Sequence, residues 1–185
     1  GLILIYLTLG YFLGGKWADA NPTPGAMYRI LAWAAFTIGL VPYIAGPVLR
    51  SAAGAFEALS VGIMAGSFIA VLILFSVPIT LLGAISPFAI RLSVDDTSKA
   101  GQVSGQIYAI STLGSFIGTF LPTLVTIPTI GTKLTFFVFG MFLLIVALVG
   151  LARFASQREM FKLIWMPALL AIVAALSAGQ SLKSS

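Results

Sequence analysis

The chain contains no cysteine and no histidine. Without cysteine it has no disulfide framework, no thiolate nucleophile and no thiolate metal site. Without histidine it lacks the commonest general base and the commonest metal ligand. Charge is scarce too: Asp, Glu, Lys and Arg make up 8% of the residues, against roughly a quarter in a soluble domain. The five carboxylates are Asp19, Glu57, Asp95, Asp96 and Glu159. Only Asp95 and Asp96 are close in sequence, and adjacent residues on an ordered element do not share a face. No catalytic carboxylate pair is supported, and neither a metal site nor a cofactor is expected.

What the chain does have is apolar surface. Of its 185 residues 59% are hydrophobic, and the mean hydropathy is +1.10. Such a chain cannot clothe itself in a surface that water accepts, which excludes a soluble globular enzyme and a disordered segment. Its expected partner is the lipid bilayer. The net charge of +5 is not a nucleic-acid signal, because the ten Lys and Arg are scattered between apolar runs rather than clustered as a phosphate backbone requires. Gly1 already lies inside an apolar run, with neither an initiator Met nor a charged n-region, so a portion upstream is expected.

The charge-free stretches predict an all-α, polytopic transmembrane bundle of five full spans and one truncated span. Residues 1–15 are too few to cross about 30 Å of hydrocarbon at about 1.5 Å per residue and read as the tail of a longer helix. Full spans are expected at 30–49, 58–82, 101–121, 134–152 and 163–182. The 58–82 and 101–121 spans, third and fourth when the truncated one is counted, lie in longer uncharged runs, 58–90 and 100–132, that contain Pro78, Pro87, Pro122 and Pro128. Proline removes a backbone donor and bends or ends a helix. The third is therefore expected to kink at Pro78 and break around residues 83–87. The fourth is expected to end near Pro122, with residues 123–131 as an interfacial loop. The strict alternation of β-barrel strands is absent.

Orientation follows from the positive-inside rule. Lys16, Arg29, Arg91, Lys99, Arg153, Arg158 and Lys162 fall on one side, and Arg50, Lys133 and Lys183 on the other, seven against three. The first set is expected in the cytoplasm, in the 16–29, 91–99 and 153–162 loops of a plasma (inner) membrane protein. Trp17, Trp33 and Trp165 lie near segment ends, as interfacial anchors do.

Two features invite a functional reading. Glycine pairs four residues apart, Gly10 and Gly14, Gly62 and Gly66, Gly101 and Gly105, Gly114 and Gly118, let helices approach closely, either within the bundle or between two copies. Ser104, Tyr108, Ser111, Ser115 and Gly118 lie at i, i+4, i+7, i+11 and i+14, on one face of the most polar span, with Gln102 and Gln106 near its start. That face lines either a polar cavity or a seam whose hydroxyls bond across helices or back to their own carbonyls. No span carries a charge at its middle, which counts against a self-sufficient ion- or proton-coupled transporter.

Two stretches resemble a known family. Leu9-Gly-Tyr-Phe-Leu-Gly-Gly-Lys-Trp-Ala-Asp-Ala-Asn-Pro22 is similar to the loop between the second and third helices of major facilitator transporters. The second stretch comprises Leu82-Gly-Ala-Ile-Ser-Pro-Phe-Ala-Ile-Arg91, Gly101-Gln-Val-Ser-Gly-Gln-Ile-Tyr-Ala-Ile-Ser-Thr-Leu-Gly-Ser-Phe-Ile-Gly-Thr-Phe120 and Ile127-Pro-Thr-Ile-Gly-Thr-Lys133. Together they resemble the membrane region of fused major-facilitator/spermidine-synthase-like proteins. The resemblance implies that segments one to five are helices two to six of a six-helix facilitator half. Segment six is then an extra helix leading to an aminopropyltransferase domain absent from these residues. It marks Gly14, Gly15, Lys16 and Asp19 as the loop motif. Ala20 stands where the facilitator pattern has Arg, so Lys16 and Asp19 are expected to cap helix ends and hold the loop against the bundle.

Three functions remain open. The chain is a non-catalytic membrane module that anchors a spermidine-synthase-like domain or passes substrate to it. Alternatively it is a facilitator-like transporter half that works with a second copy. In the third reading it is an accessory subunit of a larger membrane complex, touching other subunits, pigments, quinones or lipids through apolar surface.

Overall fold

The computed structural model describes residues 2–58, 63–94 and 99–183. Every regular element among them is helical: α1 (Leu2–Ala20), α2 (Pro24–Ala58), α3 (Ile63–Ser93), α4 (Ala100–Leu121), α5 (Ile127–Phe154), α6 (Gln157–Leu163) and α7 (Trp165–Lys183). A π-helical turn, Pro122–Thr126, joins α4 to α5. Four helical stretches are long and apolar enough to cross a membrane: Pro24–Ser51, Ala65–Ser93, Ala100–Phe154 and Gln157–Ser177. The all-helical architecture is thus present, with four stretches that could cross a membrane, of which the longest, Ala100–Phe154, holds both α4 and α5. α1 is not among the four; its last turns carry Lys16 and Asp19.

Charge-free runs mark hydrocarbon, not helix length, and the helices overrun them at several ends. The expected 16–29 loop is mostly helical and shrinks to a turn at residues 21–23. There the Thr23 N–H donates to the Asn21 carbonyl at 2.8 Å, and the Ala26 N–H donates to Thr23 Oγ1 at 3.3 Å. A threonine ahead of Pro24 is a good start signal, because its oxygen accepts from an otherwise orphaned first-turn donor.

The prolines also act differently from expectation. α3 does not break at residues 83–87 but runs through both Pro78 and Pro87. Pro78 is fully buried, and packing from neighbouring helices holds such a helix together where one donor is lost. Nor are residues 123–131 a loop. At Pro122 the helix widens by one residue, and the Ile127 N–H reaches back to the Pro122 carbonyl. A π-bulge of this kind accommodates a proline without ending the helix. The chain turns at Gly131 instead, where φ is 79° and ψ 165°, a region open essentially to glycine alone. Just past the corner, Thr135 Oγ1 donates to the Gly131 carbonyl at 2.8 Å and shares a hydroxyl–hydroxyl hydrogen bond with Thr126 Oγ1 at 3.2 Å, binding the two arms together.

α1 lies along α3 in parallel. A Cβ placed on Gly10 would stand 2.9 Å from the Gly83 Cα, and one on Gly14 2.5 Å from the Ala84 Cα. This glycine pair therefore serves packing inside the bundle. Gly62 lies outside the described residues, so its pair with Gly66 is not described. Gly101, Gly105, Gly114 and Gly118 face open space.

The main core gathers Leu31, Ala32, Ala35 and Phe36 of α2, Leu144 and Ala147 of α5, and Met166 of α7. A smaller cluster, Ala18, Ala26 and Phe88, closes one end of the bundle. α4 stands apart, with no buried residue along its 22.

Candidate functional site

Because α4 stands off, a cleft of 920 Å³ opens between it and α2, α3 and α5. Ser111, Gly114, Ser115 and Gly118 of α4 form one wall. Ser86 of α3 and Thr135 of α5 add hydroxyls, and Leu82, Ile85, Phe139 and Leu143 supply much of the apolar remainder. The i, i+4 spacing of Ser111 and Ser115 puts them one turn apart on the same face. The glycines beside them leave room, since no neighbour lies within 4 Å of where their Cβ atoms would be.

The α4 hydroxyls divide into two groups. Thr112 and Thr119 donate back to the carbonyls of Tyr108 and Ser115 at 2.8 and 2.7 Å, the usual way of satisfying a hydroxyl in an apolar setting. Among the described residues no such back-bond is found for Ser111 or Ser115. Their oxygens are the donors and acceptors a small solute or a polar partner helix would meet.

The structure splits the sequence-derived polar face. Ser111 and Ser115 line the cleft, but Ser104 and Tyr108 do not. Tyr108 is 60% exposed. Ser86 and Thr135 complete the set from distant parts of the chain. Neither belongs to the α4 stripe, so its periodicity carries no signal of them.

The loop-motif residues lie elsewhere, at the charged end of the bundle. Gly14 is packed against Ala84, while Gly15 has open space around its Cα. Lys16 Nζ sits 4.3 Å from the centre of the Phe12 ring, a cation–π contact within its own helix. Asp19 Oδ1 lies 3.4 Å from Arg91 Nε. That ion pair joins the end of α1 to the end of α3, while Lys16 contacts its own helix. Across the same end, Glu159 Oε2 lies 3.4 Å from Arg29 Nη1 and Oε1 lies 2.6 Å from Lys162 Nζ. Glu159 thus tethers α2 to α6. Tyr28 stacks on Phe154 at 6.1 Å beside it. Asp95 and Asp96 lie outside the described residues.

Among the described residues no group of carboxylates could hold a metal ion. Trp33, Phe36 and Trp165 form an edge-to-face cluster with centroid distances of 5.3–6.3 Å. Trp33 and Trp165 therefore sit at the same level, on α2 and at the start of α7. Comparison with protein-family models, curated proteins and solved structures finds no match for this chain.

Proposed function

We propose that this chain is a non-catalytic integral-membrane module that completes its bundle with a partner, either another membrane subunit or a fused soluble domain's own membrane contacts. One observation carries this reading. α4 is a full-length helix with no buried residue, and Leu113, Phe116 and Ile117 on it are 57–65% exposed. Lipid accepts such a surface. The same helix also presents Gly101, Gly105, Gly114 and Gly118 with no neighbour near them, and small residues of that spacing favour close helix approach. The fused spermidine-synthase-like assignment, with an anchoring or substrate-passing role, rests on the sequence resemblance alone. In the membrane the basic end faces the cytoplasm by the positive-inside rule.

A facilitator-like half is the second reading. It is favoured by the cleft, where four hydroxyls from three helices face a space large enough for a small solute.

The absence of native cysteine makes the test clean. A photo-crosslinker is attached through single cysteines at Leu113 and Phe116, with Ile73 on α3 as control, in membranes of the native source. The partner reading expects a protein adduct of one defined mass from the α4 sites and lipid adducts from Ile73. Lipid adducts alone at every position would sink it. Solute flux in liposomes that disappears in a Ser111→Leu, Ser115→Leu double variant would favour the transporter half.

A further inference from the structure

A second groove, of 560 Å³, runs between α1, α2 and α3 and shares no lining residue with the cleft beside α4. Its chemistry changes along its length. At one end stand Asn21 and Arg29; from there it passes Trp33 and Leu81 and finishes at Thr37 and Val77. Thr37 Oγ1 already donates to its own helix, at 2.8 Å to the Trp33 carbonyl, so the far end offers no free donor. From Arg29 to Thr37 the helix rises about 12 Å, somewhat less than half of a roughly 30 Å hydrocarbon layer. The groove is thus polar at the charged end of the bundle and apolar for about 12 Å beyond it.

The polar mouth carries positive charge in excess. Glu159 bonds Lys162 at 2.6 Å and meets Arg29 only at 3.4 Å, with the Arg29 side chain 46% exposed. Two cations share this one carboxylate, so the Arg29, Glu159 and Lys162 cluster keeps one positive charge in excess. A guanidinium has five N–H donors in a fork that matches a phosphate, and Glu159 uses few of them. Trp17 and Trp33, 41% and 44% exposed, flank the groove as amphipathic rings do at headgroup depth.

We propose that this groove binds one molecule of an anionic phospholipid, its phosphate on Arg29 and one acyl chain laid along Trp33, Leu81 and Val77. The site is independent of what covers α4. It also differs from the general attraction of a basic surface, because one cation out of the seven at this end is given a built apolar trough.

The test uses the full chain, purified in mild detergent after equilibration with vesicles of equal parts phosphatidylglycerol and phosphatidylcholine. Lipid retained after washing is read by native mass spectrometry. One basic residue at an anionic surface is worth about 1 kcal/mol, or about fivefold in occupancy. Wild type is expected to retain phosphatidylglycerol about fivefold over phosphatidylcholine. Arg29→Gln brings the ratio close to one. Arg158→Gln removes the same charge from the same end but outside the groove, and leaves the ratio unchanged. Leu81→Phe narrows the trough and lowers retention of both lipids. Equal retention of the two lipids by wild type overturns the proposal, as does an equal drop in Arg29→Gln and Arg158→Gln. If Arg29→Gln does not fold, Arg29→Lys decides: the charge stays but the fork is lost, so the ratio falls to about twofold, and an unchanged ratio overturns the site.

Discussion

Gly14 and Gly15 are neighbours in one helix, yet the fold gives them opposite roles. A methyl group on Gly14 would lie 2.5 Å from the Ala84 Cα and 2.8 Å from its Cβ, whereas one on Gly15 would meet nothing within 4 Å. Carbon atoms rest about 3.5–4.0 Å apart, so Gly14→Ala must push α1 off α3 by about 1 Å. A gap of that size forfeits about a quarter to a half of each dispersion contact it opens. If the seam holds about as many atom pairs as one buried leucine, 40–60 at about 0.1–0.2 kcal/mol each, the loss is about 3 kcal/mol within a range of about 1–6. Helix propensity works the other way, since Ala is favoured over Gly by about 1 kcal/mol. Gly14→Ala is expected to be destabilised by about 2 kcal/mol, and Gly15→Ala to be neutral or up to about 1 kcal/mol more stable. Reversible unfolding by SDS titration in mixed micelles, followed by circular dichroism, measures both variants. Equal shifts for the two would refute the reasoning, because propensity alone treats adjacent helix glycines alike.

Two further substitutions probe the corner and the charged end. Gly131→Ala places a Cβ on a residue at φ 79°; the expected loss is about 1–3 kcal/mol in the same titration, with slower hydrogen exchange at Thr135 as the outcome that contradicts it. Asp19→Asn breaks the ion pair with Arg91, whose side chains are 77% and 50% exposed. Exposed pairs are worth about 0–1 kcal/mol, so its unfolding midpoint should barely move, and a large drop would mean that the end of α1 depends on this bond.

Much of the architecture was legible before any coordinates. Long uncharged runs with no strand-like alternation mean helices in lipid, because a bilayer leaves no other open-chain way to satisfy the backbone. The pattern of basic residues put Lys16, Arg29, Arg91, Arg153 and Lys162 at one end, and the Asp19–Arg91 and Arg29–Glu159 pairs are found there. Helix ends were less legible, since charged residues such as Lys16 and Arg29 do not interrupt a helix; they only leave the hydrocarbon. Proline misled for a related reason. In isolation Pro87 and Pro122 cost a donor, but tertiary packing around α3 and a one-residue bulge at Pro122 absorb the loss. The true reversal, at Gly131, looked no different in sequence from the many other glycines.

For the cleft, the serine stripe on α4 gave half of the outline. Ser111 and Ser115 share a face by periodicity alone. Ser86 and Thr135 joined them only because α3 and α5 pack against the same α2, a long-range arrangement no local pattern encodes. The α1–α2–α3 groove likewise draws Asn21 from a turn, Arg29 and Trp33 from one helix and Val77 from another.

The sequence by itself determined the solvent and the secondary structure: a chain this apolar and this poor in charge must be helical in a membrane. It also leaves these residues without a thiol or an imidazole, since Cys and His are absent. Tertiary structure decided which of the small and polar residues face a neighbour and which face space. Gly14 and Gly15 differ only in that respect. In lipid an apolar surface is stable on any side of a helix, so hydrophobicity cannot choose the packing face; close van der Waals fit does, and fit exists only once two helices are side by side.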